Sequence, residues 1–164
     1  MIGGAVLLLS VGLHCARRVD IAMQICAVQA LLAAASLGAT PVAIVAFSLN
    51  GVVLPLLIAR MDSRGTLTVR GNAIWSWIVV LALLVVVGLT FGGSVAIGVS
   101  VAGLGLLLIA LRCHPLAPAI GLLSSQNGLV LLAGTQPDRP LTAMLVAATP
   151  LTAALLLAER WARR

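Results

Sequence analysis

The chain has 164 residues, 62% of them hydrophobic and 9% charged, with a mean hydropathy of +1.20 and a net charge of +6. A soluble domain is about 45–50% apolar and about 25% charged, so this composition excludes a water-soluble globular enzyme, and its hydrophobicity excludes a disordered chain. Runs such as 81–87 do not alternate as the strands of a membrane β-barrel must, which leaves an all-α, polytopic membrane helix bundle.

A spanning helix needs roughly 20 apolar residues. Arg, Pro, Gly and Asn punctuate the chain into about seven expected spans: 2–16, 19–37, 41–59, 73–90, 94–111, 116–134 and 141–158. Residues 1–164 then form a single transmembrane domain. The longest polar stretch, 60–72, has 13 residues, so a soluble catalytic domain would belong to another chain.

The first run is short. It has no basic residue ahead of it, and Gly12, Leu13 and His14 do not resemble a cleavage site, so a retained helix is expected rather than a signal peptide. Arg17 and Arg18 close it. The second run carries Gln24 and Gln29, and a tight turn at 38–40 leads to Pro41, with Thr40 as the expected N-cap. The third carries Asn50 near its centre and ends at the basic stretch with Arg60, Arg64 and Arg70. The fourth opens with Trp75 and Trp77. Gly88 with Gly92, and Gly98 with Ala102, have the small-residue spacing that lets helices approach closely. The sixth carries Gln126 and Asn127. The seventh carries Thr149 and Pro150, where a proline frees the Val146 carbonyl and kinks the helix, and it exits at Trp161, Arg163 and Arg164.

Ten arginines and no lysine supply the positive charge. With seven spans, nine arginines fall on one side (Arg17, Arg18, Arg60, Arg64, Arg70, Arg112, Arg160, Arg163, Arg164) and only Arg139 on the other. The positive-inside rule then puts the N-terminus outside and the C-terminus in the cytoplasm, with Trp75, Trp77 and Trp161 at the cytoplasmic interface. These arginines read as topology signals and contacts to lipid headgroups. No basic stripe with aromatic platforms points to nucleic acid.

The three cysteines, Cys15, Cys26 and Cys113, have no metal spacing and read as small packing residues, with palmitoylation as a lesser option. A metal site from His14, Cys15, Cys113 and His114 would require the first and fifth spans to be neighbours. No catalytic constellation and no cofactor or metal set is expected. At mid-membrane the candidates are the amides Gln24, Gln29, Asn50, Gln126 and Asn127, read either as interhelical glue or as a site beside the Thr149–Pro150 hinge. No Asp, Glu, Lys or Arg falls at the centre of any expected span. Amides cannot take up and release protons near neutral pH, so this chain alone is a poor proton pump.

The ordered set of Arg18, Gln29, the run Asn50-Gly-Val-Val-Leu-Pro-Leu-Leu-Ile-Ala-Arg60, the run Gly121-Leu-Leu-Ser-Ser-Gln-Asn-Gly128, Ala148-Thr-Pro150 and the basic exit through Arg164 resembles component E of the hydrogenase-4 and formate hydrogenlyase type of membrane-bound nickel–iron hydrogenase. The last three spans are also similar to the small K subunit of respiratory complex I and the C subunit of multisubunit cation/proton antiporters. Three positions depart from the family pattern: Gln126 stands where a glutamate is usual, Pro150 where an acidic residue is usual, and Asn50 where a lysine can occur. The resemblance implies a bacterial inner-membrane subunit, without catalytic residues or cofactors of its own. It would sit among larger antiporter-like membrane subunits and a peripheral hydrogenase-like module. The departures count against proton translocation through this chain. The rival readings are a stand-alone small-solute permease and, last, an intramembrane enzyme.

Overall fold

The computed structural model describes residues 2–38, 43–45, 48–53, 55–56, 66–69 and 71–135. Among these, six helices form: α1 (Ile2–Cys15), α2 (Val19–Ser36), a π-helical segment (Ser48–Val53), α3 (Ala73–Thr90), α4 (Gly93–Leu111) and α5 (Ala117–Thr135). Two short strands, β1 (Thr68–Val69) and β2 (Arg112–Cys113), pair antiparallel, with Thr68 opposite Cys113 and Val69 opposite Arg112. The architecture is all-α apart from that ribbon. The chain is a helical, multi-pass integral membrane protein, because α2, α3, α4 and α5 are each long and apolar enough to cross a bilayer.

Seven spans are expected from the sequence; the described residues contain six helices, of which four are long enough. At 14 residues, α1 is about 21 Å long, short of a hydrocarbon core of about 30 Å. It stops at Cys15 because Arg17 and Arg18 turn the chain into the loop layer. The third expected span contains the π-helical turn rather than a described α-helix through its centre. Pro55, just beyond that turn, has no N–H to offer the Gly51 carbonyl, so a regular α-helical ladder is interrupted there. The seventh span at 141–158, the Thr40–Pro41 cap, Arg60, Arg64, Arg70, Arg139, Thr149, Pro150, Arg160, Trp161, Arg163 and Arg164 lie outside the described residues.

Three connections come together at one end of the bundle. The Leu67 N–H donates to the Arg17 carbonyl at 2.7 Å, Thr66 bridges Arg18, and β1 pairs with β2. Arg17, Arg18 and Arg112 therefore share one end with the start of α3, where Trp75 and Trp77 sit. Asn72 caps α3 by accepting from the Ile74 N–H at 3.0 Å. At the other end, Gly93 takes φ +58°, a left-handed turn from α3 into α4 that a side chain would strain.

The core centres on α5, whose spanning window is 72% buried against 11% for α3. Its tightest partner is α4. A methyl group at Gly105 would lie 2.5 Å from the Gly121 carbonyl oxygen, and one at Gly128 would lie 2.4 Å from Ala102 N. Gly98, Ala102 and Gly105 thus face Gly121, Ser125 and Gly128 with the backbones nearly touching. The Gly98–Ala102 spacing does mark a helix contact. The Gly88–Gly92 pair does not: among the described residues nothing lies within 4 Å of either added methyl. Leu81, Val85, Val86 and Leu89 of α3 remain exposed to the surroundings of the bundle.

Candidate functional site

The buried amides act mainly between helices. Gln29 on α2 is fully buried and donates through Nε2 to Ser10 Oγ on α1 at 2.8 Å. Ser10 Oγ in turn donates to the Val6 carbonyl at 3.0 Å. Asn127 on α5 donates through Nδ2 to the Cys26 carbonyl of α2 at 3.4 Å, and the Cys26 thiol points back to the Ile120 carbonyl at 3.9 Å. Ser125 donates to the Ala102 carbonyl of α4 at 2.9 Å. Gln126 is buried too, but lies about 100° round α5 from Asn127, so the two serve different faces. Asn50 is buried in the π-helical segment, its Oδ1 without a hydrogen-bond partner among the described residues. Gln24 stands apart. It is exposed and lines an open, mostly apolar groove of about 380 Å³ with Asp20, Ala27, Gly51, Val52 and Leu56. The structure brings Gln29 and Asn127 into the α1–α2–α5 core and leaves Gln24 outside it.

The second polar centre is at the arginine-bearing end. Arg112 is only 8% exposed. Its guanidinium donates to the Leu67 carbonyl at 2.8 Å and to the His14 carbonyl, so one side chain ties the ends of α1 and α4 to the 66–69 loop. Burial pulls its pKa below the ordinary guanidinium value; the nearby Cys15 thiol opposes this and the Arg17 charge adds to it. His14 Nδ1 lies 3.1 Å from the Ser10 carbonyl oxygen. A carbonyl only accepts, so Nδ1 carries the hydrogen, and Nε2 is buried with no partner among the described residues. A cavity of about 30 Å³ sits between His14, Val69, Ser76, Trp77, Leu111 and Arg112. Arg18 is engaged separately, in a two-point pair with Asp20 at 3.0 and 2.7 Å.

The neighbour relation required for a metal site exists, since Arg112 at the end of α4 bonds the last turn of α1. The ligands do not converge. His114 Nδ1 accepts from the Leu116 N–H at 3.1 Å, Cys15 and Cys113 are exposed, and among the described residues no three His, Cys, Asp or Glu side chains could hold one ion. Cys26 is a buried packing residue.

Sequence reasoning missed Ser10, and it counted Arg112 among the topology arginines. Ser10 and His14 are four apart on one helix, and that spacing was the available signal for a polar strip on α1. Nothing local distinguishes Arg112 from Arg17; only the fold shows which one is buried. No protein-family model, curated protein or solved structure matches the chain.

Proposed function

We propose that this chain is a non-catalytic, multi-pass subunit of a membrane-bound hydrogenase or complex I-like assembly in a bacterial inner membrane, with its C-terminus in the cytoplasm. In this role it scaffolds larger antiporter-like subunits and a peripheral hydrogenase-like module. One observation carries the reading. Among the described residues, every buried polar side chain inside the helices apart from the terminal His14 is a neutral amide or hydroxyl, and no carboxylate is buried. Such groups join helices but do not relay protons. The ordered motifs around Gln29, Asn50 and 121–128 supply the choice of family. The test is to isolate the protein from its native membrane in mild detergent and identify what accompanies it. Antiporter-like subunits and a hydrogenase-like large subunit support the proposal. A chain that purifies alone and catalyses solute uptake into vesicles overturns it and favours the permease reading, for which the groove beside Gln24 is the specific observation.

A further inference from the structure

Positive charge at the arginine-bearing end is not balanced by the described residues around it. The two carbonyls that Arg112 bonds satisfy its N–H groups without neutralising it. Among the described residues the one ion pair is Arg18–Asp20, so no described carboxylate pairs with Arg112, and Arg17 adds a like charge. A buried charge left without a counter-charge is strongly unfavourable. Two further features meet Arg112 at the same cavity. One is His14, whose ring is buried and whose Nε2 lone pair lacks a hydrogen donor among the described residues. The other is the start of α3, an 18-residue helix. Asn72 caps the Ile74 N–H, but the Ala73 and Trp75 amides have no acceptor within the helix, and the helix dipole adds to the positive potential there.

The cavity, at about 30 Å³, has room for an oxygen-sized group, since holding a water takes about 10–15 Å³. Its wall on α3 is made by Ala73, Ser76, Trp77 and Val80. One residue further round the same helix runs an exposed apolar stripe of Ile74, Ile78, Leu81 and Val85. A ligand with an anionic head and an apolar tail matches both surfaces; a soluble anion matches only the first.

We propose that this end of α3 seats one anionic phospholipid. Its phosphodiester lies against Arg112 and the first amides of α3, its acyl chain follows the Ile74–Val85 stripe, and a headgroup hydroxyl or the water it carries fills the cavity and donates to His14 Nε2. Phosphatidylglycerol has both the charge and the hydroxyl. The test is native mass spectrometry of the full chain released from detergent, with dioleoylphosphatidylglycerol, dioleoylphosphatidylcholine or inorganic phosphate as probe. Wild type should retain one phosphatidylglycerol about fivefold more tightly than phosphatidylcholine, the increment expected of one basic residue at a membrane surface. Inorganic phosphate should not displace it. Ser76→Leu, which fills the cavity without touching the bonds of Arg112, and Arg112→Gln should each abolish the preference; if Arg112→Gln does not fold, Ser76→Leu decides. A wild type without preference, a preference that survives in Ser76→Leu, or displacement by inorganic phosphate alone would overturn the proposal.

Discussion

Replacing Gly128 by alanine puts a single methyl group into the α4–α5 contact. That carbon would lie 2.4 Å from Ala102 N, 2.8 Å from the Gly98 carbonyl oxygen and 2.9 Å from Ala102 Cα. All three are backbone atoms, so no side chain can rotate away. Restoring a contact of about 3.5 Å requires the helices to part locally by about 1 Å, and a gap of that size forfeits between a quarter and a half of the dispersion energy of the atoms it separates. Overpacking of this kind costs about 1–3 kcal/mol. Gly88→Ala is the matched control, because among the described residues nothing lies within 4 Å of its added methyl, and alanine is favoured over glycine inside a helix by about 0.5–1 kcal/mol. That gain is common to both variants, so they should differ by the overpacking cost alone, about 1–3 kcal/mol, with Gly128→Ala the less stable. The assay is thermal unfolding in mild detergent, read by a thiol dye on Cys26, which is fully buried. The background is Cys15→Ser/Cys113→Ser, which removes the two exposed thiols. At about 2–4 °C per kcal/mol for a chain of this size, the midpoints should separate by several degrees. Equal midpoints would refute the close backbone approach.

Three further outcomes are expected. Arg112→Gln removes two charge-assisted hydrogen bonds, each worth about 1.5–3 kcal/mol, so the Leu67 amide, which donates to the Arg17 carbonyl, should exchange with solvent at least about tenfold faster; unchanged protection would show that Arg112 does not hold this end together. Gln126→Ala should lower the yield of assembled complex, through a loss of about 0.6–1.7 kcal/mol of helix association, while proton transport per assembled complex stays at the wild-type level. Normal assembly with lost ion coupling would sink the scaffold reading. A reporter fused after Arg164 should be active in the cytoplasm, and periplasmic activity would reverse the assigned orientation.

What could be read from the chain alone follows from what hydropathy measures. The limits of α2, α3, α4 and α5 agree with the expected spans to within a residue or so, because Arg, Pro, Gly or Asn lies at or within two residues of each end. Which face each helix buries was not legible. Lipid tails are as apolar as leucine, so a lipid-facing valine and a core valine look alike in sequence; Val80 is buried and Val79 exposed on the same helix. The glycine spacing had the same weakness. Gly88–Gly92 matches the four-residue pattern better than Gly98–Gly105, yet only the second pair meets glycines on a facing helix. Gln24 and Gln29 were equivalent as letters, and five positions of helix rotation place one in an open groove and the other against Ser10.

These misjudged positions share a cause, and it bears on where function resides in the molecule. Without a hydrophobic force between helices inside a membrane, the bundle is held by close backbone packing and a few neutral hydrogen bonds. The α4–α5 glycine seam supplies the first, and Ser10, Gln29, Ser125 and Asn127 the second. Changing those residues alters how firmly the helices associate, but removes no group able to carry charge through them. The described charges gather instead where α1, α4 and the 66–69 loop meet. Ser76→Leu, which leaves the bonds of Arg112 in place, can therefore separate lipid retention from core packing, whereas Gly128→Ala tests packing alone. If both perturbed lipid retention equally, the lipid site and the packing seam would not be divided in this way.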